Sequence, residues 1–298
     1  MIIMGIFILV GEVSRLINPL DLSYGIKMAV ISLSQILLVF LPTFIFIYFN
    51  KLNLKDLRFN KISMKNLLIA IGIMVFSMPI AMFINFIWIF ILRYFGEIYT
   101  PAQFSSDNIV QLLINLFVIA ILPAIFEEML FRGVILRGYE RLGKVSAILC
   151  SAILFGLLHR DLQSLVGTTI LGIVIAFIVY KTNSIYPGMI AHFINNGFAI
   201  VLTFLISKIS PFALEQLKNP SAQDMFNNST QVIIAFAFLG ITSIIFSGGL
   251  IGLIILFNYT TKDIYKQEEV EVIAVENNKE WLLPLGISLM LVFYAYFR

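Results

Sequence analysis

The stretch LPAIFEEMLFR, Leu122 to Arg132, decides how the chain is read. Glu127, Glu128 and Arg132 stand inside a run that is dominated by Ile, Leu, Phe, Val and Ala from Ile109 onward. An ionisable group at mid-membrane costs about 2.5 to 3.5 kcal/mol on insertion scales, so three together need partners or a task. On an α-helix, at about 100° per residue, Glu128 and Arg132 are an i and i+4 pair and lie nearly one above the other. Glu127 points about a quarter turn away with no neutralising group in its own helix, and is expected to face a polar cavity or other helices.

Two further segments are built to meet it. The chain has 2 histidines, His159 and His192. Phe155 and His159 are four apart in FGLLH, and His192 and Asn196 are four apart in HFINN, so each pair shares a helix face. A carboxylate, two imidazoles and an amide in one intramembrane pocket can activate a water and stabilise an oxyanion.

EEMLFR (Glu127 to Arg132), FGLLH (Phe155 to His159) and HFINN (His192 to Asn196) resemble, in order, the three motifs of the CAAX-protease and bacteriocin-processing family, the Abi or Rce1-like intramembrane endopeptidases. The resemblance covers roughly Leu112 to Ser207; the flanks share only their membrane-helix character. It implies an endopeptidase that cuts a peptide or membrane-anchored protein near the cytoplasmic membrane face. On this reading Glu127 is the general base on water, assisted by His159, while His192 and Asn196 hold the oxyanion. Glu128, paired with Arg132, steadies the helix, and Arg132 is a structural, charge-setting partner. Zinc stays open: Glu127, His159 and His192 match a His2Glu catalytic set, whereas Asn196 suits an oxyanion hole better than a metal. The cofactor is therefore none or Zn2+, with a glutamate-activated water favoured. From the residues by themselves, a non-catalytic immunity or scaffold protein and a proton-coupled transporter are the alternatives.

Composition agrees on the class. Of 298 residues, 60% are hydrophobic and only 12% charged, and the mean hydropathy is +0.97; soluble domains carry roughly 25% charged residues. The reading is all-α, a polytopic bundle of about eight transmembrane helices in the lipid bilayer, multi-pass in a cell membrane and of bacterial plasma-membrane type. A net charge of +3 is too small to suggest nucleic acid as a partner. The single cysteine, Cys150, excludes an internal disulfide framework and reads as a packing residue.

Along the chain, Met1 to Val10 reads as a short first helix and Tyr24 to Phe49 as a full span. Lys51, Lys55, Arg58, Lys61 and Lys65 mark a cytoplasmic loop. Asn66 to Tyr94 returns outward, and Ser106 or Asp107 is expected to cap the helix of the two glutamates. Pro123 cannot bond the Ile119 carbonyl and should loosen that helix one turn before Glu127. Arg137 to Lys144 is again basic. Val145 to Leu158, Leu162 to Tyr180 and a helix opened by Pro187 complete the core. Ser207 to Thr230 is expected outside, Gln231 to Phe257 crosses with Gly248 and Gly252 at a spacing suited to a close helix contact, and Trp281 to Arg298 is a last helix. The chain thus divides into three regions: 1–110 with N-terminal helices and basic loop, 111–207 as catalytic core, 208–298 with external loop and C-terminal helices.

Overall fold

A computed structural model describes residues 23–96, 98, 106–209 and 229–266. The expected helices at Met1 to Val10 and Trp281 to Arg298, and most of the expected external stretch after Ser207, lie outside these residues. The described part is all helix and turn: α1 (Tyr24–Phe49), α2 (Met64–Leu92), α3 (Ile109–Leu142), α4 (Lys144–Leu158), α5 (Leu165–Thr182), α6 (Tyr186–Ile209), α7 (Ser229–Thr260) and a short α8 (Lys262–Lys266). All but α4 and α8 are long and apolar enough to cross a membrane. The bundle is polytopic and all-α, its outer faces covered with Ile, Leu and Phe such as Leu33, Phe44, Phe238 and Ile244.

α2 and α5 form the centre. Ile69, Ile73 and Met74 of α2 meet Ile175, Ile178 and Val179 of α5, with Ala191 of α6 and Phe257 of α7 closing the cluster. α7 runs antiparallel along α2. The close contact expected at Gly248 and Gly252 falls elsewhere: both have open space where a Cβ would stand, whereas Gly249 lies under the Phe76 ring. No small-residue seam forms at that spacing: the rotation of α7 about its axis, which the spacing does not set, turns the neighbouring glycine inward instead.

The cap of α3 also differs from expectation. Asn108, in extended backbone, accepts the Gln111 N–H at 3.0 Å. Asp107 instead donates its backbone N–H to Gln111 Oε1 (2.8 Å), and Ser106 accepts from Asn115 Nδ2 (2.9 Å). The pair resembles a capping box shifted by one residue.

Two helices loosen at proline in the same way. Pro42 in α1 and Pro123 in α3 each lack an N–H, and each is preceded by a π-turn, Gln35–Phe40 and Leu116–Ile121. The residue before each proline bonds five positions back: Leu41 to the Ile36 carbonyl, Leu122 to the Phe117 carbonyl. A second π-turn in α3, Met129–Ile135, comes directly after the glutamates.

α4 has 15 residues and is thus about 22 Å long, too short for a hydrocarbon core of about 30 Å. It starts at the basic end and stops at His159, where the chain turns through Arg160 with φ 53°. Irregular backbone at that depth needs internal partners. α2 supplies them: Trp88 Nε1 donates to the Leu162 carbonyl (2.7 Å) and Asn85 Oδ1 accepts the Gly167 N–H (2.8 Å).

At the basic end the loop between α1 and α2 is folded down rather than free. Leu57 and Arg58 are buried, Arg58 bonds Glu140 and Asn183, and Ser184 Oγ donates to the Asn60 carbonyl at 2.6 Å. Arg58, counted among the loop charges, is a staple between α3 and the turn joining α5 to α6.

Candidate functional site

Glu127 and Glu128 sit on α3 between its two π-turns, and both carboxylates are buried. α6 runs antiparallel to α3 and brings its N-terminal half against them. His192 Nδ1 lies 2.9 Å from Glu128 Oε1, and the same oxygen lies 3.2 Å from Arg132 Nη1. An ionised carboxylate only accepts, so Nδ1 carries the hydrogen. The expected Glu128–Arg132 pair is therefore formed, and it has a third member that helical spacing could not reveal. Arg132 Nη2 donates to the Gly172 carbonyl at 3.0 Å, and the guanidinium stacks 4.6 Å from the Phe155 ring centroid. Burial of two opposite charges stabilises little unless their remaining hydrogen-bonding capacity is met, and here it is met only in part: Glu128 Oε2 and Arg132 Nε have no hydrogen-bond partner.

Glu127 has different surroundings. Its Oε1 accepts from Gln35 Nε2 of α1 at 2.8 Å, and its Oε2 faces His192 Nε2 at 4.0 Å without a hydrogen-bond partner. Asn196, one turn beyond His192, donates Nδ2 to the Ile119 carbonyl (3.1 Å) and points toward His192 Nε2 (3.2 Å). Ile119 is the residue whose carbonyl Pro123 cannot bond. The proline thus exposes the acceptor that orients the amide across the helix interface. Asn195 donates Nδ2 to Asn196 Oδ1 at 3.0 Å and steadies it.

His159 stands apart from the carboxylates. It is exposed at the end of α4, and its Nδ1 lies 3.0 Å from the Phe155 carbonyl of its own helix, so that nitrogen donates and Nε2 remains for other partners. The Phe155 ring lies between the two imidazoles, edge-on to His159 at 5.0 Å and to His192 at 5.4 Å. Structure thus joins Glu127, Glu128, Arg132, His192 and Asn196 into one polar cluster, and links His159 to it through an aromatic ring. Glu127, His159 and His192 are not gathered as metal ligands, and among the described residues no group of three or more His, Cys, Asp or Glu is arranged to hold a metal ion. Each Nδ1 is held by an acceptor, which is compatible with ligation through Nε2, but His159, His192 and Glu127 do not converge on one point, so the donor set as placed does not fit a His2Glu zinc centre.

Two close approaches make the cluster possible. A Cβ on Gly188 would come 2.5 Å from Val179 Cγ2 and 3.4 Å from Glu128 Oε2, so glycine lets the first turn of α6 lie against both α5 and the carboxylate. A Cβ on Gly172 would come 3.2 Å from the Ala152 Cα, where α5 presses on α4 and presents its carbonyl to Arg132.

Gln35 is the residue that sequence reasoning missed. Its one available signal is an amide in a predominantly apolar span, seven residues before Pro42.

Fold and site together define a multi-pass membrane protein with a buried carboxylate, imidazole and amide centre assembled from α1, α3 and α6. Residues 109–198 match the family described as type II CAAX prenyl endopeptidase Rce1-like. Over this core the chain is similar to that family. It is also similar to YdiL of Bacillus subtilis (strain 168), a protein named as a membrane peptidase, with 31% identity over 102 residues. That match covers 34% of this chain and 42% of the relative, less than half the length of either. No solved structure matches the chain significantly.

Proposed function

We propose that the chain is an intramembrane endopeptidase that hydrolyses a peptide or membrane-anchored protein with a glutamate-activated water, near the end of the bundle that bears the basic loop. One observation carries the reading: a buried carboxylate oxygen, Glu127 Oε2, has no hydrogen-bond donor and faces, at 4.0 Å, an imidazole that is brought from another helix with an amide beside it. A structural ion pair has no need of this second carboxylate, because Arg132 and His192 already serve Glu128.

In this mechanism Glu127 takes a proton from water as the water attacks the scissile carbonyl. Glu128 holds His192 by Nδ1, as an orienting acid holds the imidazole in hydrolytic triads. Asn196 keeps one N–H on the Ile119 carbonyl and turns the other, now directed at His192 Nε2, toward the developing oxyanion. His159, with Nε2 open, assists from the α4 end. The residues do not fit zinc as arranged, and no step passes through a metal. Prenylated C-terminal tails and hydrophobic precursor peptides, including bacteriocin-like ones, are the substrate classes to try first.

The test is Glu127→Gln, which keeps size and the Gln35 contact while removing the base. Cleavage by the purified protein should fall about 10²- to 10⁴-fold with folding unchanged. Near-normal turnover would remove Glu127 from the mechanism and shift the role to Glu128.

A further inference from the structure

Gln35 lies on the peripheral helix α1, at the first residue of its π-turn, where the widened backbone leads into Pro42. Its side chain reaches across to α3 and donates to Glu127 Oε1 at 2.8 Å. Each of the two side chains so joined keeps one oxygen that is buried and without a hydrogen-bond partner: Oε1 of Gln35 and Oε2 of Glu127. Both are acceptors, and neither can satisfy the other. Two buried acceptors on bonded neighbours call for a small molecule with two donors, and water has that valence.

We propose that Gln35 is a positioning residue of the hydrolytic site, its amide oxygen and the Glu127 carboxylate together holding the attacking water. The inference rests on Glu127 being the base. One water hydrogen is donated to Glu127 Oε2 and is the proton removed; the other is donated to Gln35 Oε1 and stays on the water oxygen. The water oxygen forms a bond to the peptide carbonyl carbon while the carbonyl π pair moves to its oxygen. Collapse of that intermediate breaks the C–N bond, and the proton held by Glu127 passes to the departing amine. The products are a carboxylic acid and an amine, and Gln35 is unchanged. Without Gln35 the water keeps its base but loses its second anchor, and its lone pair is no longer aimed. Its N–H also fixes which Glu127 oxygen is free. The π-turn ahead of Pro42 has the same use on α1 as the one ahead of Pro123 on α3: each re-aims one turn of a membrane helix into the site.

The test uses the full-length purified protein in lipid nanodiscs. Gln35→Met removes donor and acceptor at similar volume, and Gln35→Asn keeps both on a shorter stem. With a prenylated C-terminal peptide and an unprenylated hydrophobic peptide as probes, Gln35→Met should lower kcat about 100-fold with KM and thermal midpoint held, and Gln35→Asn should recover part of the loss. A purely structural Gln35 would move the thermal midpoint and KM as well, which overturns the proposal, as does a Gln35→Met kcat near that of the parent. A second arm needs no substrate: a structure at a resolution that shows ordered water should place one within hydrogen-bond distance of both Gln35 Oε1 and Glu127 Oε2. If neither probe is cleaved by the parent, the endopeptidase reading fails separately, and this arm decides the water site; absence of a bridging water overturns it.

Discussion

His192 Nδ1 lies 2.9 Å from Glu128 Oε1, a bond between side chains 64 residues apart that ties α6 to α3 inside the bundle. The same carboxylate pairs with Arg132, so Glu128 serves as the shared acceptor of an imidazole and a guanidinium. Its replacement therefore acts twice. Glu128→Gln should leave Arg132 buried without its counter-charge and let the His192 ring rotate, lowering both thermal stability and turnover. Stability measured by thermal unfolding in detergent is the check, and a variant as stable as the parent would show that the carboxylate is not structural.

Arg132→Ala isolates the other half. It leaves Glu128 with His192 alone and removes the guanidinium from the Phe155 face and the Gly172 carbonyl. Breaking a buried pair from one side costs about 3 to 5 kcal/mol, so yield and melting temperature should drop together. Arg132→Lys should recover little of this, since an ammonium cannot bond the carbonyl and stack on the ring with one planar group.

Gly188→Ala tests the geometry rather than the chemistry. The added methyl meets the Val179 side chain and crowds Glu128, so α6 must shift away from α3. Overpacking of this kind costs about 1 to 3 kcal/mol. Because His192 and Asn196 ride on α6, catalysis should fall by more than stability. Parallel thermal and kinetic measurements separate the two, and equal losses would mean that the helix does not move as a unit.

Exhaustive chelation should leave cleavage intact, and purified protein should carry zinc well below one ion per chain. The reason is geometric: His159 and His192 each meet the Phe155 ring edge-on, and among the described residues no three ligating groups converge to hold a metal ion. Stoichiometric zinc together with chelator-sensitive activity would require His159 Nε2 to converge with His192 and Glu127 on one point, a different arrangement of α4.

The sequence alone determined the all-α membrane class, the positions of the described spans to within a few residues, the Glu128–Arg132 pair and the likeness of three motifs to one family. Each depends on local periodicity or composition: a span needs some 20 apolar residues, and an i and i+4 pair needs only a helix. The tertiary structure decided which of those side chains meet. Gln35 on Glu127, Glu128 on His192 and Asn196 on the Ile119 carbonyl are contacts between helices, set by the depth and rotation of each helix about its axis. Glycines at 172, 188 and 249 set how closely helices approach, and which glycine of α7 faced inward was not readable from spacing. The π-turns before Pro42 and Pro123 alter rotation within a helix, since one extra residue in a turn offsets all later side chains by about 100° relative to a straight wheel. A linear pattern places polar residues on faces; only packing decides which face another helix completes.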